Sequence, residues 1–201
     1  MKISSKLILS LATLSCLSLS VSAQQFVSRT SRASTLPATS TISTLYTNDP
    51  LAHTLCFIDG REGGVFQDGE ARNRCSHIDF DTYKAGNLSV GIEGGETGVI
   101  IDLGNPQDLQ ANQYQAFAGL RFVDGKIILI KDQRAGLRQE VPRAAQVFSA
   151  SNQMGSAEAR PGHIYLARIT DRHNKDFEIL VKLLVLSATP GESVTFRWEL
   201  L

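Results

Sequence analysis

An excess of charge of one sign is the first thing this sequence lacks. Twenty Lys and Arg stand against 20 Asp and Glu in 201 residues, so there is no long-range field to collect phosphates, and no basic stripe is interleaved with aromatics. No nucleic acid partner is expected. Long apolar runs are also missing outside the extreme N-terminus, so no later segment is built to cross a bilayer as a helix. Catalytic signatures are absent as well. There is no Gly-x-Ser-x-Gly, His-Glu-x-x-His, phosphate loop or Gly-x-Gly-x-x-Gly, although a triad scattered along the chain would leave no such trace. No repeat of about 20 to 50 residues is visible, which disfavours propellers and solenoids.

What is present begins with a targeting segment. Lys2 and Lys6 precede an apolar stretch from Leu7 to Leu19, and Val21-Ser22-Ala23 precede Gln24. A charged start, an apolar centre and a small-residue site make residues 1–23 a secretory signal peptide, cleaved after Ala23. Lipid attachment at Cys16 is the less favoured alternative, because Thr13 stands where a lipobox carries Leu and the apolar run continues to Val21. The mature chain, secreted or periplasmic, then has 178 residues and two cysteines. Export exposes thiols to oxidants and the pair is even in number, so Cys56 and Cys75 are expected to form a disulfide. Closing that loop is worth about 3 kcal/mol.

Residues 24–48 are rich in Ser and Thr with few large apolar side chains. This composition cannot bury enough surface to offset chain ordering and reads as a disordered linker. A single domain is expected over 49–201. Its signals are mostly strands: 55–58, 78–82, 88–92, 99–103, 116–123, 127–131, 163–170, 177–187 and 193–200. Asp124-Gly125 between two of them is a two-residue hairpin signature. In the last strand Val194, Phe196, Trp198 and Leu200 share one face, and Thr195, Arg197 and Glu199 the other. The run 183–186 is apolar on both faces and belongs in a strand covered on both sides. Asn105-Pro106 offers a helix start, and Leu137, Val141, Ala145 and Phe148 have helical spacing that Pro142 must start or kink. The fold class is mainly β, an antiparallel β-sandwich or jelly-roll-like domain with one or two short helices.

Three clusters carry chemistry. Strand periodicity places His77, Asp79 and Asp81 on one face, an imidazole and two carboxylates able to hold a metal ion or to supply acid and base groups. The loop closed by the disulfide carries Asp59, Glu62, Asp68 and Glu70 among glycines, ligands for Ca²⁺ or another divalent cation. Residues 171–176 crowd Asp171, Arg172 and His173 into a hairpin loop that can serve recognition. Each cluster also has an ordinary structural reading, as a polar strand face, a turn or a solvated loop. His163 and His53 carry no partner in sequence. Asn87-Leu88-Ser89 is a glycosylation sequon only in a eukaryotic source. Trp198 falls on an apolar face and is expected in the core; Tyr83, Tyr114 and Tyr165 are scattered. The leading expectation is an exported, non-catalytic module that binds a glycan or an extracellular or envelope protein. The alternative is a small exported hydrolase or metal-dependent enzyme using His77, Asp79 and Asp81.

Overall fold

The computed structural model describes residues 41–47, 53–61 and 75–201, with the backbone of two residue pairs between them. The expected signal peptide 1–23, residues 24–40 and 48 of the expected linker, Glu62, Asp68 and the side chain of Glu70 lie outside the described residues. In chain order the strands are β1 (Thr41–Tyr46), β2 (Thr54–Leu55), β3 (Phe66–Gln67), β4 (Glu70–Ala71), β5 (Ile78–Phe80), β6 (Asn87–Val90) and β7 (Glu96–Gly104). They continue as β8 (Leu120–Val123), β9 (Lys126–Asp132), β10 (Leu137–Glu140), β11 (Gly155–Glu158), β12 (Ile164–Asp171), β13 (Glu178–Thr189) and β14 (Ser193–Leu200). Helix α1 spans Gln113–Gly119 and a 3-10 helix spans Pro142–Phe148.

The largest sheet is antiparallel, in the order β1-β14-β13-β12-β7. Alternation sorts its side chains into two cores. Tyr165, Ala167 and Ile169 of β12 and Ile179, Val181, Leu183 and Val185 of β13 point to one side, where they meet Ile78, Phe80, Leu88 and Val90 of the sheet β11-β6-β5-β2. The intervening Ile164, Leu166, Leu180 and Leu184 pack on the other side against α1, the 3-10 helix and β9. The fold is thus mainly β, sandwich-like on one face and capped by helices and a small meander on the other. β13 is covered on both sides, as its doubly apolar run requires. A bulge after Val185 breaks its pairing with β14 and turns Leu186 out to solvent.

Several local expectations shift. The sheet begins before residue 49, because β1 pairs along β14 from Thr41 to Tyr46 and buries Leu45. A polar strand can join an edge through its backbone ladder alone. Residues 116–119 are helical rather than extended, since Asn112 caps α1 by accepting from Gln115 N at 2.9 Å. The helix start at Asn105 resolves into a turn, with Asn105 and Asp108 each accepting the other's amide. Leu137 belongs to β10, and Pro142 starts the 3-10 helix. The hairpin at Asp124 (φ 50°) and Gly125 (φ 76°) has the positive pair of a type I′ turn. Leu200 leaves the core at the strand end, whereas Trp198 is buried and donates from Nε1 to Ser43 Oγ at 3.0 Å. Among the described residues no helix is long and apolar enough to cross a membrane.

Candidate functional site

Cys56 and Cys75 are bridged, and the bridge abuts His77, the residue preceding β5. His77 is buried between Phe57 and Phe177, with ring centroids 6.0 and 5.8 Å away. Its Nδ1 accepts from Phe57 N at 3.0 Å. A neutral imidazole that accepts at Nδ1 carries its proton on Nε2. That Nε2 lies 3.5 Å from Cys75 Sγ and 3.7 Å from Glu96 Oε1.

Glu96 opens β7 and sits opposite Asp171 in the ladder. It is buried, and its Oε2 has no hydrogen-bond partner among the described residues. Burial, reinforced by the negative charges of Glu93 and Asp171, lifts its carboxyl to about 7. Burial also lowers His77 to about 4, against the pull of Asp59. Between those values both groups are neutral, so their approach is that of a neutral imidazole and a carboxylic acid, not an ion pair.

The 171–176 loop adjoins this pair. Asp171 Oδ1 accepts from His173 N at 2.6 Å and Asn174 N at 3.1 Å. Those bonds, the His173 amide first, hold the Asp171 carboxyl below the usual carboxylate range. Arg172 N donates to Gly95 O at 2.9 Å, and a side chain at Gly95 would begin 2.9 Å from the His173 ring. The loop backbone is therefore pinned while Arg172, His173, Asn174 and Lys175 face solvent. Tyr83 is exposed nearby; partial burial, then the carboxyls of Asp79 and Glu93, raises its hydroxyl pKa. Glu93 itself is raised by burial although Ser76 donates to it.

The structure thus brings His77 together with the 171–173 loop through Glu96, and among the described residues it groups neither Asp79 nor Asp81 with His77 around a common ion position. β5 ends at Phe80, and Asp81 adopts φ 73°, which breaks the two-residue period. Asp79 is buried and accepts from Thr82 Oγ1 at 2.6 Å, while burial raises its pKa. Asp81 accepts from Gly86 N and, at 3.2 Å, from Gly191 N, fastening two turns together. Among the described residues the donor atoms close enough to share an ion belong to Cys56, Cys75 and His77. Asp59 is exposed and accepts from Arg61 N at 3.0 Å.

Sequence reasoning missed three groups. Glu96 lies three residues before the expected strand 99–103 and carried no signal in the sequence. His163 is not alone: its Nδ1 lies 3.0 Å from both oxygens of Asp102, and Asp102 Oδ1 also accepts from Gly104 N at 2.7 Å. Lys182 sits fully buried in the second core, its Nζ 3.2 Å from Glu199 Oε2 and 3.1 Å from Leu120 O. Asn87 is buried and donates to Ser156 Oγ at 2.9 Å, so its amide is not presented as a glycan acceptor. Tyr165 is buried, and the Tyr114 side chain lies outside the described residues.

Compared with protein-family models, curated proteins and solved structures, the chain matches none.

Proposed function

We propose that the chain is an exported, non-catalytic binding module that takes a glycan, or an extracellular or envelope protein, at the sandwich end formed by Tyr83, Glu93, Glu96 and the 171–176 loop. The observation that carries this reading is the pinned loop: a backbone held by Asp171 and Gly95 presents four polar side chains without freezing them at the moment of binding. An exposed tyrosine ring beside carboxyls supplies the apolar face and hydrogen-bond acceptors that sugars use. The disulfide ties Cys56 to Cys75 behind this end, in keeping with an oxidising compartment.

A panel of immobilised glycans and isolated envelope proteins, probed with the exported chain, tests the reading. Tyr83→Ala and Arg172→Ala should each weaken binding at least several-fold with the melting temperature unchanged. Binding that ignores both substitutions would sink this choice of surface. A second reading, an exported hydrolase, draws support from the Asp102–His163 pair, in which a carboxylate orients an imidazole. Turnover in a broad hydrolase screen that disappears in His163→Ala would favour it over the binding module. N-terminal sequencing of exported material should begin at Gln24.

A further inference from the structure

We propose that the reduced chain binds a thiophilic metal ion, of which Zn²⁺ is the representative, through Cys56 Sγ, Cys75 Sγ and His77 Nδ1, with Glu96 accepting from His77 Nε2–H behind the ring. The donor atoms of the three residues lie within 4.8 Å of one another. Around tetrahedral zinc, the ordinary bond lengths to sulfur and nitrogen separate those donors by about 3.6 Å. Cys75 Sγ lies 3.8 Å from His77 Nδ1 and 3.5 Å from Nε2, values that bracket that edge. Two thiolates and one imidazole, with a fourth position open to water, make a soft site of a familiar composition.

The neighbours decide which nitrogen ligates. Ligation through Nε2 would put the ring proton on Nδ1, against the Phe57 N–H that now donates there. Ligation through Nδ1 displaces that amide and leaves Nε2–H aimed at Glu96 Oε1, 3.7 Å away. Glu96 is the independent second feature. It is a buried carboxyl with an unpartnered oxygen, placed where metal-bound histidines carry their carboxylate support. Asp79 is not part of the set, since Thr82 already occupies it.

The chemistry balances. Two external thiols give two electrons and two protons to the bridge, yielding two cysteine thiols and one external disulfide. The divalent ion then displaces two protons as two metal–sulfur bonds form. Its charge is cancelled by the two thiolates, so the buried site gains no net charge. A sulfur bonded to the metal is unavailable for the bridge, so metal occupancy and disulfide formation compete.

Co²⁺ is the test probe, added to the full chain after reduction with a phosphine. One equivalent should give a thiolate-to-cobalt charge-transfer band and intense visible bands, both erased by Zn²⁺. The bridged chain should give neither. Cys56→Ser should abolish the charge-transfer band or cut it severely, and Glu96→Gln should weaken affinity by about 10- to 100-fold while the thiolate band persists. Zn²⁺ should also slow reoxidation of the bridge. A folded, reduced chain without the band, or with an undiminished affinity in His77→Gln, overturns the proposal. So does a reduced chain that unfolds and is not refolded by Zn²⁺.

Discussion

Replacing Glu96 by Gln should stabilise the protein by an amount that grows with pH. Burial, then the charges of Glu93 and Asp171, moves the carboxyl from 4.5 to about 7. At 1.36 kcal/mol per unit, that shift corresponds to about 3 kcal/mol. Between pH 4.5 and 7 the folded chain holds a proton that the unfolded chain has released. The stability contributed by Glu96 is therefore fully present below 4.5 and lost as pH rises to 7. His77 runs the other way, because burial lowers it from 6.5 to about 4. Its contribution is present above 6.5 and lost as pH falls toward 4. Over the overlap the two slopes cancel in the parent. Gln cannot titrate, so Glu96→Gln should remove the Glu96 slope that opposes that of His77, and its advantage over the parent should widen by about 3 kcal/mol between pH 4.5 and 7. Urea unfolding followed by tryptophan fluorescence at half-unit pH steps measures the difference directly. An advantage that stays constant with pH would refute the buried, protonated carboxyl.

Three further perturbations probe the scaffold. Trp198→Ala should cost about 3 to 5 kcal/mol by urea unfolding, since the indole is buried against Phe57 at 5.2 Å; a variant as stable as the parent would place the ring outside the core. Glu199→Gln should cost about 3 kcal/mol by leaving the Lys182 ammonium uncompensated, and Lys182→Met added to it should restore most of that loss; strictly additive effects would show that the pair does not interact. Burial lowers the Lys182 amine to about 8, so parent stability should also rise as pH climbs from 8 to 10.5. Gly98→Ala should lower the melting temperature, because a Cβ there would sit 2.6 Å from Val90 O where β6 and β7 cross; an unchanged melting curve would contradict that close approach.

The sheet was legible wherever one strand carried its own periodicity. Val194, Phe196, Trp198 and Leu200 announce a single buried face and the run 183–186 a strand buried on both, patterns that repeat within a few residues and fail only at Leu200, at the strand end, and Leu186, at the bulge. β1 was not legible, since only Leu45 of its six residues is buried and its order comes from a partner about 150 positions away. The site was legible in the same partial way. The Cys56–Cys75 bridge was legible from the cysteine count and the expectation of export. The His77, Asp79, Asp81 cluster required extended backbone to run on through Asp81, one residue beyond Ile78–Phe80, and the left-handed φ of Asp81 breaks that period. Glu96 beside His77, and Asp102 beside His163, depend on registers between distant strands that no local period encodes.

Those registers also place polar groups at two ends of the sheet. Along β12 the odd-numbered positions face the sandwich interior, and Tyr165, Ala167 and Ile169 fill its middle with apolar side chains. Polar groups can then gather only where that face runs out. One end receives His163 and Asp102; the other receives Asp171, Glu96 and His77. Eight residue steps from 163 to 171 span about 27 Å of extended strand. A monosaccharide or a tripeptide cannot bridge that distance, so the Asp102–His163 pair and the Glu96 end cannot serve one ligand of that size. A bound partner that responds to substitutions at both ends has to be an extended chain or a macromolecule laid along the sandwich, and one that responds at a single end identifies which end it touches.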